Sequence, residues 1–174
     1  MSIESLDPPA GAAASDDVGF IFQGFQQSNL SVDGLATVTN NTLLRITNTT
    51  ISQTGHAFYP NPIKFKSKSN SSAFSFSTQF VFAIVPDLSG LTDIGDINDN
   101  HVGTDINSVT SKVSMPASYK ANNKNSLDNL TLISGQQMQL WVEYDGMDRR
   151  IDVTLAPIAA AKPHTPLLSL TYDL

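Results

Sequence analysis

The residues with the most capacity for chemistry lie in one stretch, Asp93-Ile-Gly-Asp96-Ile-Asn98-Asp99-Asn100-His101. Three carboxylates, two amides and an imidazole fall within nine residues, and the pattern then turns abruptly strand-like. Hard divalent cations take oxygen ligands from Asp- and Asn-rich loops, whereas imidazole suits a transition metal, so the mixture points to a mixed metal site. The competing reading is a solvated turn, because Asp and Asn side chains bond to nearby backbone and tolerate left-handed conformations. An EF-hand is excluded. A loop begun at Asp96 would place His101 and Asn107 where that motif needs Gly and Glu. A second acidic pair, Glu143 and Asp145, shares one parity of a strand-like run, as the two carboxyls of a glycoside hydrolase could. Tyr144-Asp145-Gly146 reads better as a strand end plus turn, so no catalysis is expected.

The elements that must position these groups are β-type. Residues 18–25, 35–39, 42–47, 57–59 and 74–85 precede the acidic loop; 101–106, 130–133, 138–144, 151–155 and 167–172 follow it. All carry β-branched or aromatic residues between turn signals. In the longest run Phe74, Phe76, Thr78, Phe80 and Phe82 share one parity, which predicts one buried sheet face. Residues 112–128 read as loop, and Asp145-Gly146-Met147-Asp148 as a hairpin connection whose Gly supplies a positive φ. Trp141 is expected to pack against its sheet, His56 to be structural, and His164 to be a solvated loop residue. No helical amphipathic pattern competes, so the class predicted is all-β, an antiparallel β-sandwich.

At 174 residues the length suits a single domain with a real core, and the net charge of -6 with scattered Lys and Arg argues against nucleic acid. No polybasic membrane patch and no run of ~20 apolar residues is present, so no membrane span is expected. The absence of cysteine removes disulfides and thiolate zinc sites. Residues 1–17, rich in Ala, Pro, Ser and Asp, predict a disordered leader, and they lack the basic start and apolar run of a signal peptide. Asn29, Asn40, Asn48, Asn70 and Asn129 fit the N-glycosylation pattern, which matters only in a secretory context.

Several blocks in order resemble the legume-type lectin domain, in particular the extracellular lectin domain of plant L-type lectin receptor kinases. They are Phe20-Ile-Phe-Gln-Gly-Phe25, Asp33-Gly-Leu-Ala-Thr-Val-Thr39, Leu43-Leu-Arg-Ile-Thr-Asn-Thr49 and Gly55-His-Ala-Phe-Tyr-Pro60. The resemblance continues through residues 74–84, Asn100-His101-Val-Gly103, Asn129-Leu-Thr-Leu-Ile133 and Gln139-Leu-Trp-Val-Glu-Tyr-Asp-Gly146. It implies a concanavalin-like jelly roll over residues 18–174 that binds a glycan without chemistry, beside paired calcium and manganese ions. It implies Asp96 and His101 as two metal ligands, with Asp93 and Asn98 as further oxygen donors. It also implies an extracellular or cell-surface location, although the chain shows no signal peptide.

The departures from that family are equally specific. Leu88-Ser-Gly90 runs directly into Leu91-Thr-Asp93, where roughly sixty residues of the family pattern, with a Glu-x-Asp pair, an Asn and the sugar-binding Asp, are absent. The closing strands of the family are absent as well, so the domain is expected to be partial, internally deleted and C-terminally truncated. Its metal and sugar sites are expected to be degenerate, with no sugar-binding residue assignable. Lost strands would expose sheet edges, through which a homo-oligomer or another protein contact could form. A protein-interaction remnant without sugar affinity is therefore the alternative reading.

Overall fold

The computed structural model describes residues 18–48, 50, 52–66, 73–85, 100–108 and 110–174. They form two compact units, divided between Ile63 and Lys64. Among the described residues there is no α-helix, and every strand pairing is antiparallel.

The first unit holds β1 (Ser31–Gly34), β2 (Thr37–Val38), β3 (Leu44–Arg45) and β4 (Gly55–Phe58). β1 pairs with β4, and β2 with β3. Gly55 is required by close approach: a Cβ there would overlap the Ile46 carbonyl oxygen. The run at 18–25 does not form the expected strand. Gly24, at φ 87°, turns the chain, and the Phe25 N–H donates to the Thr42 carbonyl at 2.8 Å. Its aromatic residues satisfy one another by ring packing: Phe20 stacks on Tyr59 with centroids 4.1 Å apart, and Phe22 meets both rings edge-on.

The second unit holds β5 (Phe76–Phe82), β6 (His101–Thr104), β7 (Val113–Pro116), β8 (Ser118–Tyr119), β9 (Asp128–Asn129), β10 (Met138–Asp145), β11 (Arg150–Pro157) and β12 (Leu168–Thr171). A four-stranded sheet runs in the order β12-β11-β10-β5, beside the ribbons β6–β7 and β8–β9. Residues 112–128 are thus not all loop. Val113–Pro116 becomes a strand because β6 offers it a ladder, a tertiary effect that outweighs polar composition. Residues 130–133, expected as a strand, lead instead into a 3-10 turn at Leu132–Ser134 that ends on Gly135 at φ 71°.

Register explains the core. Met138, Leu140, Val142 and Tyr144 share a face of β10 and lie opposite Pro157, Leu155, Val153 and Ile151 of β11. Tyr144, Ile151, Val153 and Leu168 form one buried cluster, and Ala117, Leu132, Met138 and Leu155 a second. Phe76, Phe80 and Phe82 lie opposite Tyr144, Leu140 and Met138, the parity the sequence predicts. Their burial is incomplete, with Phe76 38% and Phe80 46% exposed, because β5 ends the sheet order and has a neighbour on one side only among the described residues. On the opposite face Trp141 is buried between Gln79 and Thr154 in register, as expected of a packing residue.

The β10–β11 hairpin corrects one detail. Positive φ falls on Arg149, at 53°, and not on Gly146. Gly146 is needed for another reason: a Cβ there would overlap the Ala73 carbonyl oxygen.

Candidate functional site

His101 opens β6, half-buried, with Pro116 of β7 opposite it in register. Val102 and Thr104 follow, and Val102 packs against both buried clusters, so the imidazole stands at the edge of a strand anchored in the core. The residue before it is tied to two other segments of the chain. Asn100 donates its side-chain N–H to the Leu130 carbonyl at 2.6 Å and accepts the Leu132 N–H at 2.8 Å, while its own carbonyl accepts the Ala117 N–H at 2.9 Å. Asp93, Asp96 and Asn98 lie outside the described residues.

Calcium requires six to eight oxygen ligands, and a transition metal beside it needs further donors besides one imidazole. Among the described residues no group of three or more His, Cys, Asp or Glu side chains stands close enough to hold a metal ion. The donors in view around His101 therefore do not make up either shell.

The acidic pair of β10 has a different fate. Asp145 Oδ1 accepts the Met147 N–H at 2.8 Å and the Asp148 N–H at 3.0 Å. Bonds from the Asp148 and Met147 amides hold its carboxyl below the usual carboxylate range. Such a group closes a turn and stays ionised, the reverse of a raised-pKa general acid. Glu143 Oε2 meets Lys162 Nζ at 2.6 Å on one wall of a cleft of about 340 Å³, lined also by Asp152, Thr154, His164 and Pro166. Asp152 is itself engaged by Arg150 at 3.0 Å and by the Ser169 hydroxyl. Asp145 is thus tied into a turn, and Glu143 and Asp152, which pair in register across β10 and β11, are each held by a cation.

The loop that carries Lys162 and His164 is stapled by two amides that the sequence did not mark. Gln139 Nε2 donates to the Ile158 and Ala160 carbonyls at 3.0 and 3.2 Å. Asn122 donates to the Lys162 carbonyl at 3.1 Å and accepts the His164 N–H at 2.8 Å. His164 itself is exposed, as expected, and His56 lies in β4 with its ring stacked near Phe58. Of the glycosylation candidates, Asn29, Asn40, Asn48 and Asn129 are exposed, and Asn70 lies outside the described residues. Asn48 Oδ1 accepts the Thr50 N–H at 2.8 Å.

Comparison with known proteins places this geometry. The legume lectin domain profile matches residues 17–95 and 87–174 in two segments. The L-type lectin-domain containing receptor kinase IV.1 of Arabidopsis thaliana is 39% identical over 213 residues, covering 93% of this chain and 31% of that protein. The L-type lectin-domain containing receptor kinase SIT2 of Oryza sativa subsp. japonica is 35% identical over 212 residues, covering 93% and 32%. The chain thus spans about a third of the length of these curated relatives. Among solved structures, lectin II from Ulex europaeus superposes with a TM-score of 0.69 at 18% identity, covering 91% of this chain and 84% of that one. Peanut lectin with a 9mer peptide gives 0.66 at 17% identity, covering 87% and 80%. These likenesses establish the fold as the antiparallel β-sandwich of legume lectins.

Proposed function

Because the chain belongs to the legume lectin domain family, we propose that it is a carbohydrate-binding module without catalysis whose metal and sugar sites are incomplete. One observation carries this reading: the family profile matches in two segments that meet at residues 87–95, where Gly90 adjoins Leu91. The length of the match supports it. As 93% of 174 residues is about 162, a comparison 213 positions long leaves about fifty positions of the relative facing gaps in this chain. Asp96 and His101 are the surviving ligands for manganese and calcium, with Asp93 and Asn98 as further oxygen donors. Two or three side chains leave most of a calcium shell to water, and affinity falls with the count of charged ligands. An extracellular or cell-surface location follows the receptor-kinase relatives and agrees with the exposed Asn29, Asn40, Asn48 and Asn129.

Calorimetric titration tests the metal reading directly. Calcium and manganese are each expected to bind no tighter than about millimolar, the weak end of the calcium range. Micromolar calcium binding that Asp96→Ala abolishes would overturn the incompleteness of the site.

A second reading, protein contact through a sheet edge, is favoured by β5. Phe76-Ser-Thr-Gln-Phe-Val-Phe82 contains no charge and no proline, the features that ordinarily protect an edge strand, and Val81 is 50% exposed. A second copy pairing antiparallel about Gln79 would set Phe76 opposite Phe82 and keep the phenylalanines on one face. Light scattering is expected to show mass rising with concentration, and Val81→Lys is expected to return the chain to monomer. A monomer at high concentration without the substitution would remove this reading.

A further inference from the structure

We propose that Asn100 is a positioning residue for His101, acting by locking the start of β6 to the turn at 130–135. Three backbone segments run side by side here. The Ala117 N–H donates to the Asn100 carbonyl at 2.9 Å, and the Leu130 N–H donates to the Ala117 carbonyl at 2.9 Å. The Asn100 side chain reaches across the middle segment to the third, giving a proton to the Leu130 carbonyl at 2.6 Å and taking one from the Leu132 N–H at 2.8 Å.

The chemistry of that crossing is selective. An amide presents one acceptor and a donor group at fixed separation, and Leu130 and Leu132 offer a matching acceptor and donor. An ionised carboxylate in its place would accept from Leu132 and repel the Leu130 carbonyl. A methyl group would leave both part-buried backbone groups without this partner, the costly side of hydrogen-bond energetics.

The same turn holds the other stem of the acidic segment. The Gly135 N–H donates to the Ile84 carbonyl at 3.0 Å, two residues beyond the end of β5, and Gly135 has the positive φ of 71° that ends the 3-10 turn. Ile84 and Asn100 are therefore both fixed by one turn lying outside the segment that joins them. The place of His101 is thus tied to contacts outside the segment that joins Ile84 to Asn100. This inference stands whether or not the site takes a metal.

The test is nuclear magnetic resonance on the metal-free chain. In Asn100→Ala the Leu132 amide is expected to exchange at least about tenfold faster and the His101 imidazole resonances to move, while the β10 and β11 amides keep their protection. In Asn100→Asp the Leu132 amide is expected to stay protected, since a carboxylate still accepts, while the His101 resonances move. Unchanged Leu132 exchange and His101 resonances in Asn100→Ala would overturn the assignment. So would loss of protection in β10 and β11 by the same factor as at Leu132, which is the mark of a merely global effect. If Asn100→Ala does not fold, Asn100→Asp decides: a protected Leu132 amide with displaced His101 resonances supports the proposal, and any other pattern refutes it.

Discussion

Leu155→Ala should destabilise the chain by about 2–5 kcal/mol, the range for truncating a fully buried leucine whose cavity cannot collapse. Leu155 has 0% exposure and packs with Ala117, Leu132 and Met138. These neighbours come from the turn after β7, the 3-10 turn and β10, so no single movement can refill the space. Native stabilities of about 5–15 kcal/mol make such a loss a large fraction of the whole. Urea unfolding followed by Trp141 fluorescence is the measurement, with Met147→Ala as control. Met147 is 92% exposed, and its truncation is expected to cost under about 0.5 kcal/mol. If Leu155→Ala unfolds at the same urea midpoint as the parent, the second buried cluster is not the core described here.

That core was legible where a strand carries its own pattern. Alternation across 138–144 and 151–155 sets Met138, Tyr144, Ile151 and Val153 inward, and β10 and β11 extend those runs by one and three residues. Legibility failed where pairing comes from far along the chain. Ser31–Gly34 is a strand because Gly55–Phe58 lies beside it, and Val113–Pro116 because His101–Thr104 does. The aromatic run at 18–25 failed in the other direction: its rings pack on one another and on Tyr59, and it forms no strand.

The site divides along the same line. His101 was readable from its own surroundings, as the residue where an Asp- and Asn-rich stretch gives way to a strand. Asn100 was not, because the role of its amide is defined by Leu130 and Leu132, thirty residues later in sequence. Glu143 and Asp145 looked like a pair by parity alone. Lys162 and the Met147 and Asp148 amides, invisible to a parity argument, assign them to an ion pair and a turn.

If the proposed gap lies between Gly90 and Leu91, inserting the corresponding residues of the 39% identical Arabidopsis relative there should give calcium-dependent binding on a glycan array that the present chain does not show. The physical expectation is all-or-none, because the segment would supply two kinds of group at once. Further carboxylate and amide oxygens would raise the calcium shell toward the six to eight it needs, and added β-structure would cover the side of β5 that has no neighbour among the described residues. Both stems that receive the insert are already held, Ile84 by Gly135 and Asn100 by Leu130 and Leu132, so the insertion has a prepared frame. Loop length carries only a modest closure cost in any case, about 0.6 kcal/mol per doubling. In the restored protein Asp96→Ala and His101→Ala should each abolish the calcium-dependent signal, which separates metal-organised binding from adventitious adhesion. Equal binding by the restored and the present chain would mean that the sugar site never depended on the segment. Silence from a restored protein that folds and takes up calcium would mean that the proposed gap does not account for the absence of sugar binding.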